Sequence, residues 1–256
     1  MMYQELLEKI VVESKRIFRS ELTGIYLHGS MVMQCFNPQK SDIDLMFVVE
    51  GSISDEQKLE FMNEVVKINK LAPNKGIELS VVKRGYCKEI PYPIPFELHF
   101  SNMHLQWFLD NPTDYISKMK GTDKDLSAHF TIINHCGIVL YGEEIAAVFG
   151  EVPKADYIDS ILNDIEGAKE EVLDNPIYII LNLCRVAAFL KDGLVTSKIQ
   201  GAEWGLENVE LKYQKLICDA LKCYASDKKL MVKKEEAQVF AEYMLALIND
   251  IIVTNE

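Results

Sequence analysis

Two acidic residues at the start of a predicted strand are the side chains best placed to do chemistry. Asp42 and Asp44 are two residues apart, so in a strand their carboxylates project from the same face, while Ile43 packs into the core behind them. Two carboxylates held this close repel each other, and coordination of a hard divalent cation, Mg²⁺ for preference, removes that repulsion. The pair therefore predicts a magnesium site whose other ligands are waters and substrate phosphates.

A glycine and a serine follow the preceding predicted strand. Gly29 lets backbone N–H groups approach a phosphate without a Cβ in the way, and Ser30 adds a hydroxyl donor. Eleven residues, 31–41, separate this pair from Asp42. Glu78 lies in the next strand with the same alternation, where it is placed to act as a third metal ligand or as a general base. A phosphate cradle facing a metal platform predicts phosphoryl or nucleotidyl transfer.

The elements that must position these residues can be predicted from the period of the apolar side chains. Helical periodicity covers residues 2–19 and 54–71, and strand patterns cover 24–28, 43–49, 77–82 and 96–100. From about residue 123 the patterns are helical, over 124–140, 155–173, 176–191, 197–205, 209–224 and 233–253. We therefore expect an α+β N-terminal domain with a mixed sheet and helices, residues 1–150, followed by an all-α helical-bundle domain, residues 151–256.

Composition limits the partners. The chain has 256 residues with 39 Asp+Glu against 27 Lys+Arg, a formal net charge of −12, which disfavours a nucleic-acid substrate because phosphate-backbone binding depends on Lys and Arg. We expect that the acidic N-terminal segment is not a signal peptide and that no apolar stretch has the length needed to cross a bilayer. Six cysteines without a CxxC pair suit reduced thiols. We expect a cytoplasmic protein.

Several short motifs together resemble a known superfamily. The motifs are Leu27-His28-Gly29-Ser30, Ser41-Asp42-Ile43-Asp44-Leu45, Ile77-Glu78-Leu79, Gly137-Ile138-Val139-Leu140-Tyr141-Gly142, Leu181-Asn182-Leu183-Cys184-Arg185 and Thr196-Ser197-Lys198. With these motifs the chain resembles the DNA polymerase β nucleotidyltransferases and, more narrowly, the aminoglycoside adenylyltransferases that modify streptomycin and spectinomycin, including their helical C-terminal domain.

The resemblance implies a role for each matching residue in the nucleotidyltransferase domain. Gly29, Ser30 and Ser41 are expected to hold the triphosphate of ATP. Asp42 and Asp44 are expected to bind Mg²⁺, with two ions in the site.

The resemblance also implies a catalytic base and contacts from the helical domain. Glu78 matches the base that takes the proton from the drug hydroxyl, and Arg185 and Lys198 match residues that contact ATP. The expected acceptor is a cationic aminoglycoside or aminocyclitol, and we expect a monomer without a membrane or nucleic-acid partner.

The acceptor is where the chain departs from the family pattern. The segment 100–104 lacks the Gly-Glu-Trp of the streptomycin and spectinomycin enzymes, and Asp174-Asn175 stands in place of their Gly-Asp. A protein hydroxyl or another small molecule therefore stays open as acceptor, whereas the net charge argues against an RNA end. The third alternative is a nucleotide-binding module without turnover, against which the intact Asp42, Asp44 and Glu78 argue.

Overall fold

The structure is a computed structural model that describes residues 3–255, and the chain divides into two compact units. The first holds the residues through Val32 together with Pro38–Tyr157. The second holds Met33–Asn37 and the residues from Ile158 onward.

A five-stranded mixed sheet forms the centre of the first unit. Its strands are β1 (Leu22–His28), β2 (Ile43–Val49), β3 (Ile77–Lys83), β5 (Leu98–Phe100) and β7 (Ile138–Gly142), in the order β5-β3-β2-β1-β7. β2 and β3 run parallel, and the other neighbouring pairs are antiparallel. A separate two-stranded sheet pairs β4 (Ile94–Phe96) with β6 (Gly121–Asp123). The mixed sheet confirms the predicted fold class.

Helices cover both faces of the five-stranded sheet. The helices of this unit are α1 (Gln4–Phe18), α2 (Gly29–Val32), α3 (Asp55–Asn69), α4 (Arg84–Lys88), α5 (Leu105–Asp110), α6 (Pro112–Lys118), α7 (Leu126–Cys136) and α8 (Ile145–Val148). On one face Phe61 of α3 packs its ring 4.8 Å from Phe18 and 5.1 Å from Phe47. On the other, Tyr26 and Met46 share a core with Phe130 of α7.

The N-terminus of α3 shows why the local prediction succeeds. The Ser54 side chain accepts a hydrogen bond from the Gln57 backbone N–H, and the Gln57 side chain accepts one from the Ser54 N–H. This reciprocal capping satisfies two helix donors that would otherwise lack partners, and it depends only on residues three apart.

The second unit is a bundle built around one buried helix. Its helices are α10 (Ala168–Glu171), α11 (Pro176–Asp192), α12 (Lys198–Asn208), α13 (Leu211–Tyr224) and α14 (Lys234–Asn255), and α9 (Lys154–Asn163) contains the boundary between the units. Buried residues lie on every side of α11, because α12, α13 and α14 share its core.

One helix of the bundle corrects an expectation from the sequence. Within α14, Lys234–Thr254 has the length and the mean hydropathy, 1.3, of a membrane span, with 28% of that window buried. The prediction that no segment reaches this length and apolarity is therefore wrong. The core of the bundle nevertheless includes three residues of this helix, Phe240, Met244 and Ile248. A single helix with the length and composition of a membrane span is weak evidence for a membrane protein.

Three other local predictions are wrong because tertiary partners outweigh local patterns. The predicted helix 124–140 stops at Cys136, and residues from Ile138 form β7 against β1. A Cβ on Gly137 would lie 2.7 Å from the Ile133 carbonyl oxygen, which shows how closely the chain turns here. The strand predicted over 96–100 is split into β4 and β5, which pair with different strands.

The third wrong prediction is the continuous helix over 155–173. It breaks into α9 and α10, and three-residue turns join them, such as the bond from the Ile165 N–H to the Leu162 carbonyl. The predicted helix 2–19 is confirmed over Gln4–Phe18, and its residue 2 lies outside the described residues.

Candidate active site

Three carboxylates converge where the neighbouring strands β2 and β3 of the first unit begin. In the parallel register of β2 and β3, Asp44 lies directly opposite Glu78, and Asp42 stands two residues before Asp44 on the same face. One ligand oxygen from each residue lies within 4.8 Å of the other two, and all three side chains are partly buried. Three oxygen ligands in a pocket of this size suit Mg²⁺, which keeps further positions for waters and substrate phosphates.

The turn after β1 is packed against the same carboxylates. Gly29 has a φ of +65°, and a Cβ at this position would overlap the Oδ2 atom of Asp44. Ser30 follows in the first turn of α2, and its buried Oγ has no hydrogen-bond partner among the residues that the structure describes. A glycine that leaves room at the backbone and an orphaned hydroxyl fit a bound phosphate, which supplies the missing acceptor.

Ser41 lies just before β2 and is only 3% exposed. Ile43, between the two aspartates, is completely buried on the opposite face. Its burial anchors the strand, so the carboxylates on either side of it are held at the edge of the sheet.

The environment of Glu78 favours its use as a base. Burial raises the pKa of Glu78, and the neighbouring Asp42 carboxylate acts in the same direction, while His129 opposes both. A carboxylate with a raised pKa is a stronger proton acceptor than an exposed one.

A histidine and an aspartate on α7 belong to the surroundings of the site, and the sequence analysis missed both. His129 Nε2 lies 3.1 Å from Asp125 Oδ2, one helical turn away. Burial by itself would lower the pKa of His129, but the carboxylates of Asp125, Glu78 and Asp44 outweigh it and raise the pKa to about 10. His129 is therefore a fixed positive charge beside an acidic cluster. The Asp-to-His spacing of four within the predicted helix was the available signal.

His28 links this charge to the phosphate turn. Its buried ring lies 4.8 Å from the ring of His129, and its backbone is paired with Asp44 in the antiparallel register. Burial, with His129 as the second cause, lowers the pKa of His28 well below its usual range, so this ring is neutral.

Arg185 and Lys198 lie in the second unit. Arg185 is in the middle of α11, and its Nε donates to the Thr196 carbonyl at 2.9 Å. Lys198 is the first residue of α12, where its Nζ lies 4.9 Å from the centre of the Tyr178 ring. Both cations therefore lie in the second unit, whereas the three carboxylates lie in the first.

Two family models match separate parts of the chain, and both describe domains of nucleotide-transferring enzymes. Residues 8–91 match the family model described as polymerase beta, nucleotidyltransferase, and residues 147–247 match the one described as aminoglycoside adenylyltransferase, C-terminal domain. The chain is therefore an enzyme of the nucleotidyltransferase class that carries the C-terminal domain of the aminoglycoside adenylyltransferases. The resemblance stated from the motifs is confirmed.

Curated relatives match nearly the whole chain at low identity. An aminoglycoside (3'') (9) adenylyltransferase of Klebsiella pneumoniae is 21% identical over 254 residues, which cover 96% of this chain and 95% of the relative. A spectinomycin 9-adenylyltransferase of Staphylococcus aureus is 23% identical over 83% of this chain and 82% of the relative.

A solved structure confirms the fold. A spectinomycin adenyltransferase from Enterococcus faecialis, determined with ATP and spectinomycin, superposes with a TM-score of 0.83 at 20% identity. The match covers 96% of this chain and 98% of the other.

Proposed function

We propose that the protein transfers AMP from ATP to a hydroxyl of an aminoglycoside or aminocyclitol antibiotic, streptomycin-like or spectinomycin-like, and releases pyrophosphate. The observation that carries this proposal is the convergence of Asp42, Asp44 and Glu78 within 4.8 Å, with Gly29 packed against Asp44. Relatives named as adenylyltransferases of such antibiotics, matched over nearly the whole chain, support the choice of reaction.

Asp42 and Asp44 would hold Mg²⁺. The bound ion supplies neutralising charge for the α-phosphate and the departing pyrophosphate. In this proposal Gly29, Ser30 and Ser41 bind the triphosphate: Gly29 by leaving its backbone open, and Ser30 by donating the hydroxyl that lacks a partner.

Glu78 accepts the proton of the acceptor hydroxyl. The hydroxyl oxygen forms a bond to the α-phosphorus, and the bond from that phosphorus to the bridging oxygen of pyrophosphate breaks. The proton passes to the Glu78 carboxylate, whose pKa is raised by burial. A formal net charge of −12 attracts a cationic acceptor by electrostatic steering.

We further propose that Arg185 and Lys198 bind the nucleotide and that the protein acts as a cytoplasmic monomer. Arg185→Ala should then weaken MgATP binding without altering the free energy of unfolding of the first unit. Calorimetric titration with MgATP tests this role directly.

The deciding experiment is pyrophosphate release from MgATP in the presence of single acceptors. The panel holds streptomycin, spectinomycin, other aminoglycosides and lincosamides, with Asp44→Asn as the inactive variant and Glu60→Gln, an exposed carboxylate on α3, as the matched control. Release with streptomycin or spectinomycin that survives Glu60→Gln and is lost in Asp44→Asn supports the proposal. Silence across the panel with MgATP still bound overturns the antibiotic acceptor, and labelled AMP on a protein band would identify a protein hydroxyl instead.

A further inference from the structure

Arg185 is held by neutral acceptors. Its Nε donates to the Thr196 carbonyl at 2.9 Å, and its Nη1 donates to Asn182 Oδ1 at 3.2 Å. No carboxylate within the described part of the chain pairs with it, so its positive charge is not cancelled locally. A guanidinium has five N–H groups, and three of them remain for an anion.

Asn182, which accepts a hydrogen bond from Arg185, also contacts the carboxylate of Asp164. The buried Asn182 donates from Nδ2 to Asp164 Oδ2 at 2.7 Å. The two ends of the Asn182 amide are therefore assigned by their partners: the NH₂ group faces a carboxylate, and the oxygen faces the guanidinium. A reversed amide would place its NH₂ against Arg185 and its oxygen against Asp164, which loses both hydrogen bonds.

The same carboxylate also orients the residue beneath Lys198. The Tyr178 hydroxyl donates to Asp164, with both carboxylate oxygens at 3.0 Å. The Tyr178 ring lies below the Lys198 ammonium, 4.9 Å from ring centre to Nζ, at the distance of a cation–π contact. One partly buried carboxylate thus accepts hydrogen bonds from the neighbours of both cations, Asn182 beside Arg185 and Tyr178 beneath Lys198.

We propose that Asp164 is a positioning residue for the nucleotide: through Asn182 and Tyr178 it sets the orientation of Arg185 and Lys198. This inference rests on the proposed role of the two cations in binding ATP. Asp164 acts on Arg185 through Asn182 and not through a direct ion pair. The positive charge of Arg185 therefore stays available to phosphate, whereas a direct Asp–Arg pair would neutralise it.

The first test is MgATP binding by Asp164→Asn, measured by calorimetry, with KM and kcat from pyrophosphate release. An amide at this position cannot accept from both donors with two oxygens, so we expect the Kd for MgATP to rise about tenfold with little change in kcat. Tyr178→Phe removes one donor but keeps the ring, and we expect a rise of about threefold. Asp219→Asn, a surface carboxylate paired with Lys215 in the same unit, is the matched control and should bind as the parent does.

A double variant separates positioning from a merely structural effect. If Asp164 acts partly through Arg185, then Asp164→Asn should weaken MgATP binding less in the Arg185→Ala background than in the parent, because only the route through Tyr178 and Lys198 remains. Equal losses from Asp164→Asn in both backgrounds, or an unchanged Kd in the single variant, would overturn the inference. An Arg185→Ala variant that binds normally would instead overturn the proposed role of Arg185, which makes the two failures distinguishable.

Discussion

Replacing Gly29 by alanine should disable the enzyme through a carboxylate that the new methyl group displaces. The Cβ would lie 2.5 Å from Asp44 Cγ and 3.0 Å from Asp44 Cβ. Carbon atoms pack best at about 3.5 Å or more, so the Cγ distance alone requires the carboxylate to withdraw by at least about 1 Å, and the overlap with Oδ2 requires more. A misplacement of about 1 Å in a catalytic arrangement can cost about 100-fold in rate. We therefore expect Gly29→Ala to lose about 100-fold in kcat/KM.

Backbone strain alone must be separated from this displacement, and the chain offers a control. Gly193 has a φ of +70°, close to the +65° of Gly29, but apart from its own neighbours along the chain no described residue comes within 4 Å of a Cβ placed there. A side chain in the left-handed region costs roughly 1–2 kcal/mol. Both alanine variants should lose about that much free energy of unfolding in denaturant titrations, whereas only Gly29→Ala should lose activity.

The comparison uses pyrophosphate release with MgATP and the acceptor found in the panel. If Gly29→Ala keeps a kcat/KM within about threefold of Gly193→Ala, the close packing of Gly29 on Asp44 does not matter for catalysis, and the reasoning is refuted.

The other predictions concern single groups of the site. Ser30→Ala should leave the free energy of unfolding equal or higher, since the Oγ has no partner to lose, while raising the KM for MgATP; a destabilised protein with normal KM would contradict this. Glu78→Gln should retain MgATP binding in calorimetry but lose turnover, and full activity would exclude Glu78 as the base. In metal-free protein His129 should stay protonated at pH 8 by NMR, because its pKa is raised to about 10. Folding favours the protonated form of His129. Its contribution to the free energy of unfolding is therefore full below about pH 6.5 and is lost as the pH rises through about 10. Asp125→Asn should lower the pKa of His129.

Local patterns were sufficient wherever a residue's neighbours in the chain determine its state. The Ser54 cap of α3 and the glycine at the end of α11 depend on residues within one helical turn. The pairing of Asp42 with Asp44 on one face follows from strand geometry alone. Glu78 could be assigned to the same candidate site because polar and apolar residues alternate in the same way in the next strand.

The wrong predictions share a different cause. Residues 138–142 have an apolar pattern that suits a helix or a strand, and pairing with β1 decides for the strand. The split of β4 from β5 depends on two partners far apart in the chain. Neither partner can be read from a local window.

The sequence by itself determined which residue types are available for chemistry: the three carboxylates, and the glycine and serine that follow a strand. It also determined which face of its strand each carboxylate occupies. Only the tertiary structure decided the distances and the charges. Parallel register places Asp44 opposite Glu78, and α7 brings His129 against them from a remote part of the chain. Electrostatic effects depend on separation in space and on burial, and both are properties of the folded chain alone.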